Sequence, residues 1–148
     1  MGKMFLNCYS FKSDLSNWNV SSVTDMRYMF RECEEFSSDI SKWNVSKVED
    51  MADMFYDCKN FNSDLSNWTV SRVVDMDSMF ENCEKFNSDI SKWNVSNVHS
   101  MIEMFSGCES FDSDISSWKV DNVVYYTCIF DNCNKMHEIY KPQKFRKK

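Results

Sequence analysis

Glycine and proline are nearly missing from this chain, 2 and 1 among 148 residues. That scarcity excludes collagen-like, glycine-rich and proline-rich chains, and it leaves turns to Asn, Asp and Ser. Histidine is as rare, with His99 and His137 alone. Two glycines cannot build a phosphate loop or a dinucleotide fingerprint, and no serine sits in a nucleophile elbow. No catalytic residue is therefore assigned, and an enzyme is not expected. Long apolar runs are absent too: the longest, residues 123–130, contains Thr127 and is far shorter than the roughly 20 residues that span a bilayer. No membrane insertion is expected. The opening MGKMFLNC lacks the basic and apolar regions of a signal peptide, and Leu6 stands where a myristoylation motif needs Ser or Thr.

Positive charge is thin outside one segment. The net charge is −6, and Lys141, Lys144, Arg146, Lys147 and Lys148 contribute +5 in the last eight residues, which leaves −11 on the first 140. An acidic body does not suit nucleic acid, and the basic end reads as a frayed, solvated terminus. What the chain has in quantity is apolar side chain, 43% hydrophobic and 16% aromatic, enough for a core.

Those side chains recur every 25 residues. Five units begin at Phe11, Phe36, Phe61, Phe86 and Phe111, with no insertion between them. Trp18, Trp43, Trp68, Trp93 and Trp118 form one column, and Cys8, Cys33, Cys58, Cys83, Cys108 and Cys133 another. Met4, Phe5 and Cys8 lie one period before Met29, Phe30 and Cys33, so the chain opens with half a repeat. The pattern implies one domain over residues 1–135: a half repeat at 1–10, then repeats at 11–35, 36–60, 61–85, 86–110 and 111–135. Residues 136–148 form a cap and basic tail.

Within a unit the apolar period changes. Trp43 and Val45 alternate as in a short strand, whereas Val48, Met51, Met54, Phe55 and Cys58 follow at spacings of 3, 3, 1 and 3, one stripe of a helix. Ser46 and Glu49 have the spacing of a capping box, and Asp25, Asp50 and Asp75 would add acid to the first helical turn. One unit alone buries too little to fold, so neighbours must stack. The expected fold class is an α/β repeat: a leucine-rich-repeat-like curved solenoid with one short parallel strand and one short helix per repeat. The curvature follows from strands ~4.8 Å apart beside helices ~8–10 Å apart.

Leu65, Trp68 and Val70 occupy the three apolar positions of a leucine-rich-repeat strand. The unit FNSDLSNWTVSRVVDMDSMFENCEK resembles the 25-residue repeat of the BspA-like surface-protein family, over residues 4–135. That resemblance implies a non-enzymatic protein-interaction or adhesion scaffold of bacterial surfaces or large viruses, with no catalytic residue to carry over.

Repetition helps to separate scaffold from site, because a residue present in every unit solves the same structural problem each time. The Trp column shares a face with Val and is assigned to the core. The seven cysteines are spaced for neither zinc nor disulfides, so free, mostly buried thiols are expected, along with no metal and no cofactor. Free thiols and the missing signal peptide point to a cytoplasmic location. The sequons at Asn19, Asn44, Asn67 and Asn94 would crowd glycans on neighbouring strands, which argues against a glycosylating pathway. Asp14, Asp39, Asp64, Asp89 and Asp114 are read as acceptors of turn amides rather than calcium ligands.

The residues left over define the candidate site. Lys42, Asn44, Asn67, Thr69, Lys92, Asn94 and Lys119 alternate with or flank the core positions of each strand and face away from the core, on the inner sheet surface. The expected partner is a protein, with no nucleic acid. A rival reading is a unit that self-associates end to end through exposed repeat ends.

Overall fold

The computed structural model describes residues 1–147. It corrects the expected fold class: the repeat contains neither a strand nor a helix. Among the described residues, regular structure is limited to two 3-10 turns, Glu138–Tyr140 and Gln143–Phe145, and to isolated parallel bridges joining Asp25, Asp50, Asp75, Ser100 and Tyr125 in series. The α/β leucine-rich-repeat-like solenoid is therefore not the architecture.

Each 25-residue unit is a coil of consecutive turns. In the second repeat the N–H groups of Trp43, Val48, Met54, Tyr56 and Cys58 each donate to the carbonyl three residues earlier, and Phe61 at the start of the third does the same. These turns bring Val48, Met51, Met54, Phe55 and Cys58 inward, as a helix would have done, and all five are buried. The intervening N–H groups leave the unit altogether. Met26, Tyr28, Phe30 and Glu32 donate to the carbonyls of Asp50, Ala52, Met54 and Tyr56 at 2.7–3.0 Å, and the same register repeats up the chain. Backbones bonded this directly lie about 5 Å apart, whereas packed helices need ~8–10 Å. A helix in every unit is incompatible with that ladder, and the spacing mismatch that implied curvature disappears with it.

Aiming those N–H groups along the stack requires unusual backbone. Two positions per coil have positive φ, among them Tyr28, Glu32, Asp53, Asp57, Ser78, Asn82, Glu103, Cys128 and Asn132. Asn and Asp tolerate that region better than the others do. Gly107, at φ +71°, holds one of these positions without strain, and an added Cβ there would press on the Asn82 side chain, which would have to shift.

The opposite side of each coil is joined through side chains. The Leu15, Ile40 and Leu65 N–H groups donate to the hydroxyls of Ser38, Ser63 and Ser88 one coil on. The Leu15, Ile40, Leu65 and Ile90 carbonyls accept from the indole Nε1 of Trp43, Trp68, Trp93 and Trp118. The serine and tryptophan columns thus replace the expected backbone ladder. Buried Cys33, Cys58, Cys83 and Cys108 each donate Sγ–H to a Phe carbonyl 28 residues earlier, at 2.9–3.0 Å. Phe rings stack in continuous columns, with Phe30, Phe55, Phe80, Phe105 and Phe130 centroids 5.7–5.8 Å apart.

The chain thus forms a stack from a lowest coil at residues 1–24 to a top coil starting at Tyr125. Residues 136–147 complete the top coil in register: Met136 falls in the Phe111 column, Tyr140 in that of Ile115 and Phe145 in that of Val120. The Tyr140 carbonyl accepts the Ile115 N–H. Lys144 Nζ caps the carbonyls of Val120, Asp121 and Val123. The basic segment is docked through Lys147 rather than frayed; Lys148 lies outside the described residues.

Candidate interaction surface

With no sheet there is no inner sheet face, so that part of the site assignment is corrected. The seven residues themselves, Lys42, Asn44, Asn67, Thr69, Lys92, Asn94 and Lys119, are all exposed, on the ridge formed by two successive turns of each coil. Trp43 and Val45 are buried on either side of exposed Asn44, so the alternation survives without strands. Asn44 and Asn94 are bound locally: each Oδ1 accepts from the N–H and the hydroxyl of the serine two residues on, at 2.7–3.2 Å. Thr69 and Lys119 hold the same position without that bond. The structure gathers Lys92, Asn94 and Lys119 into one groove of about 370 Å³ between the fourth and fifth repeats, floored by Trp93 and Val95. Lys42, Asn44, Asn67 and Thr69 lie outside that groove, in the second and third repeats.

The Asp column behaves as read. Asp14, Asp39, Asp64, Asp89 and Asp114 each accept the N–H of the serine two residues on at 2.8–3.0 Å, and the bonds from these serines hold the carboxyls below the usual range. Asp25, Asp50 and Asp75 do not begin helices. Each accepts an N–H two residues on, at the parallel bridges. Burial pushes the Asp50 and Asp75 carboxyls up.

A second ridge was missed by sequence reasoning. The Arg31 guanidinium bonds Asp53 and stacks 3.8 Å over the Tyr56 ring, while Arg27 pairs with Asp25 at 2.8 Å and Asp50 at 3.4 Å. Burial also raises the Asp53, Asp57 and Glu81 carboxyls. The signal was available: the columns of Arg27, of Arg31 and Tyr56, and of Asp53 change chemical character from unit to unit, whereas the inward columns stay apolar in the interior repeats.

The Trp column is core in the interior. Trp43, Trp68, Trp93 and Trp118 are 4–5% exposed, but Trp18 is 37% exposed, with no coil among the described residues below it. Cys8 and Cys128 are exposed, and the other five cysteines are buried. Burial pushes the Cys33 and Cys133 thiols up to about 11, and those of Cys58, Cys83 and Cys108 well above the ordinary value.

A chain built this way, one turn-rich unit bonded in fixed register to the next, is a repeat protein. It belongs to the family described as Mycoplasma protein of unknown function, DUF285, which matches residues 1–83 and again residues 64–146. The double match supports a repeat family and does not support the BspA-like leucine-rich-repeat assignment. No curated protein matches the chain. No helix among the described residues is long and apolar enough to cross a membrane.

Proposed function

We propose that this protein is a non-enzymatic scaffold that docks a protein partner on the turn ridge of Lys42, Asn44, Asn67, Thr69, Lys92, Asn94 and Lys119. The observation that carries this reading is the division of labour in each coil. Repeated side chains are spent on the core and on coil-to-coil bonds, while this ridge stays exposed, varies between units and holds the Lys92–Lys119 groove. The frame holds such side chains on fixed turns, which lowers the ordering cost of binding. The lysines of the groove suit a partner segment carrying carboxylates.

The test is comparative capture from an extract of the source cells. A partner retained by the wild-type chain and by Glu84→Lys, but lost on Lys92→Glu with Lys119→Glu, supports the ridge. Retention by the double variant at wild-type level refutes it.

A further inference from the structure

Every internal junction of the stack carries the same backbone ladder. Alternate N–H groups of one coil reach the carbonyls 24 residues on, as Tyr28 reaches Ala52, Phe30 reaches Met54 and Glu32 reaches Tyr56. The two ends carry the two unmatched halves of that junction. In the lowest coil the Gly2 and Met4 carbonyls receive no hydrogen bond from the described residues, and that of Leu6 receives only a 3.8 Å contact from the Cys8 thiol. In the top coil the N–H groups of Cys128, Phe130 and Asn132 meet no acceptor among the described residues. Residues 124–131 line a groove of about 530 Å³ whose other wall is Lys141, Phe145 and Lys147.

Carrying the register forward by one coil places Gly2, Met4 and Leu6 of a following chain opposite Cys128, Phe130 and Asn132. The side chains agree. Lys3 of the following chain would face Asp131 where Asp53 faces Arg31 inside the stack, with the signs exchanged. Cys8 would reach the Phe130 carbonyl as Cys33 reaches that of Phe5. Trp18 would reach the Tyr140 carbonyl as Trp43 reaches that of Leu15. The lower end also exposes the apolar surface such a contact would cover: Met4 is 47% exposed, with Leu6, Tyr9 and Trp18 around it.

We propose that the groove above residues 124–131 binds the lowest coil of a second copy of this chain, joining copies head to tail in the register that joins the repeats. Such a contact is heterologous and does not close on itself, so it propagates beyond a dimer. Lys141 opposes it. Its ammonium lies 5.0 Å over the Phe130 ring and pairs with Glu138, on the face where Phe5 of the next copy would stack.

Sedimentation velocity on the 148-residue chain over a concentration series tests this. The expected result is mass that grows past the dimer with concentration, at lower concentration for Lys141→Ala, and that is lost for Met4→Asp. Labelling of Cys8 at the lower end and of Cys128 in the groove both slow in the associated state. Lys3→Glu and Asp131→Lys, both at exposed positions, each weaken growth, and mixing the two variants restores it. These charge variants carry the test should Met4→Asp loosen the lower coil. A concentration-independent monomer for both wild type and Lys141→Ala overturns the proposal, as does growth that stops at a dimer or a mixture that fails to restore association.

Discussion

The lowest and top coils of the stack start from one sequence pattern and end in different states. At the bottom, Trp18 and Met4 stand in the columns of Trp43 and Met29 yet are exposed, as no coil among the described residues covers them. At the top, residues 136–147 abandon the repeat but keep three of its columns, through Met136, Tyr140 and Phe145, and Lys144 takes up the Asp121 carbonyl, whose equivalents at Ser71 and Ser96 are bonded by Asn97 and Asn122 of the next coil, along with those of Val120 and Val123. The contrast shows that a residue type does not determine its own burial here. A tryptophan is core only when a neighbouring coil offers its carbonyl and its ring stack, which is the nearest-neighbour logic of repeat proteins.

The largest effect that would break this comparison is at the tryptophans. Trp68→Ala removes a buried ring stacked 6.4 Å from Trp93 and the donor to the Ile40 carbonyl, and should cost ~3–5 kcal/mol. Trp18→Ala should cost clearly less in chemical denaturation. Equal losses would show that stacking on a lower coil contributes nothing.

Next comes the serine column. Ser88 is buried, and its hydroxyl accepts the Leu65 N–H at 2.7 Å. Ser88→Ala strands that donor and should cost ~1–3 kcal/mol. Ser13, the same residue in the lowest coil, is exposed with no coil beneath it, and Ser13→Ala should stay within ~0.5 kcal/mol.

These two columns also mark what was legible in sequence. The period, the inward positions and the Asp turns were all readable, because side-chain spacing reports which way a residue points. It does not report where the backbone N–H goes. Spacings of 3, 3, 1 and 3 from Val48 to Cys58 fit a helix and a run of three-residue turns alike, and only the coil-to-coil ladder decides between them. Nor did the left-handed positions announce themselves, since Tyr28, Glu32 and Glu103 are not turn formers. On the candidate site, the exposure of Lys42 through Lys119 followed from alternation with Trp and Val. The Lys92–Lys119 groove depends on how adjacent coils meet, and no single unit contains that information.

A smaller effect separates the two aspartate columns by pH. Asp64 has a lowered folded-state pKa, so its contribution is present above the unfolded value near ~3.9 and is lost as pH falls through the folded value. Asp75 is raised by burial, so it penalises the folded state above its folded value, and that penalty is relieved as pH falls toward ~3.9. Asp75→Asn, which keeps the Oδ1 acceptor for the Asp77 N–H, should therefore stabilise the protein at pH 7, and Asp64→Asn should flatten the loss of stability below pH 4. Denaturant midpoints measured from pH 3 to pH 7 would show opposite trends, and parallel trends would contradict the assignment.

The smallest effect belongs to the ridge and sharpens the distinction between frame and surface. Thr69 is exposed between buried Trp68 and Val70, and Lys119 already occupies its position two units on. Thr69→Lys should therefore stay within ~0.5 kcal/mol of wild type. Asn94 is equally exposed, but its Oδ1 holds the Ser96 N–H and hydroxyl, and Asn94→Lys releases both. That change should cost about 1 kcal/mol, the net value of an intramolecular hydrogen bond. The pair separates exposure from structural duty, since both variants place the same charge on the same column. If Thr69→Lys proves the more damaging, the exposed column is part of the frame, and a partner surface must be sought on another side of the coils.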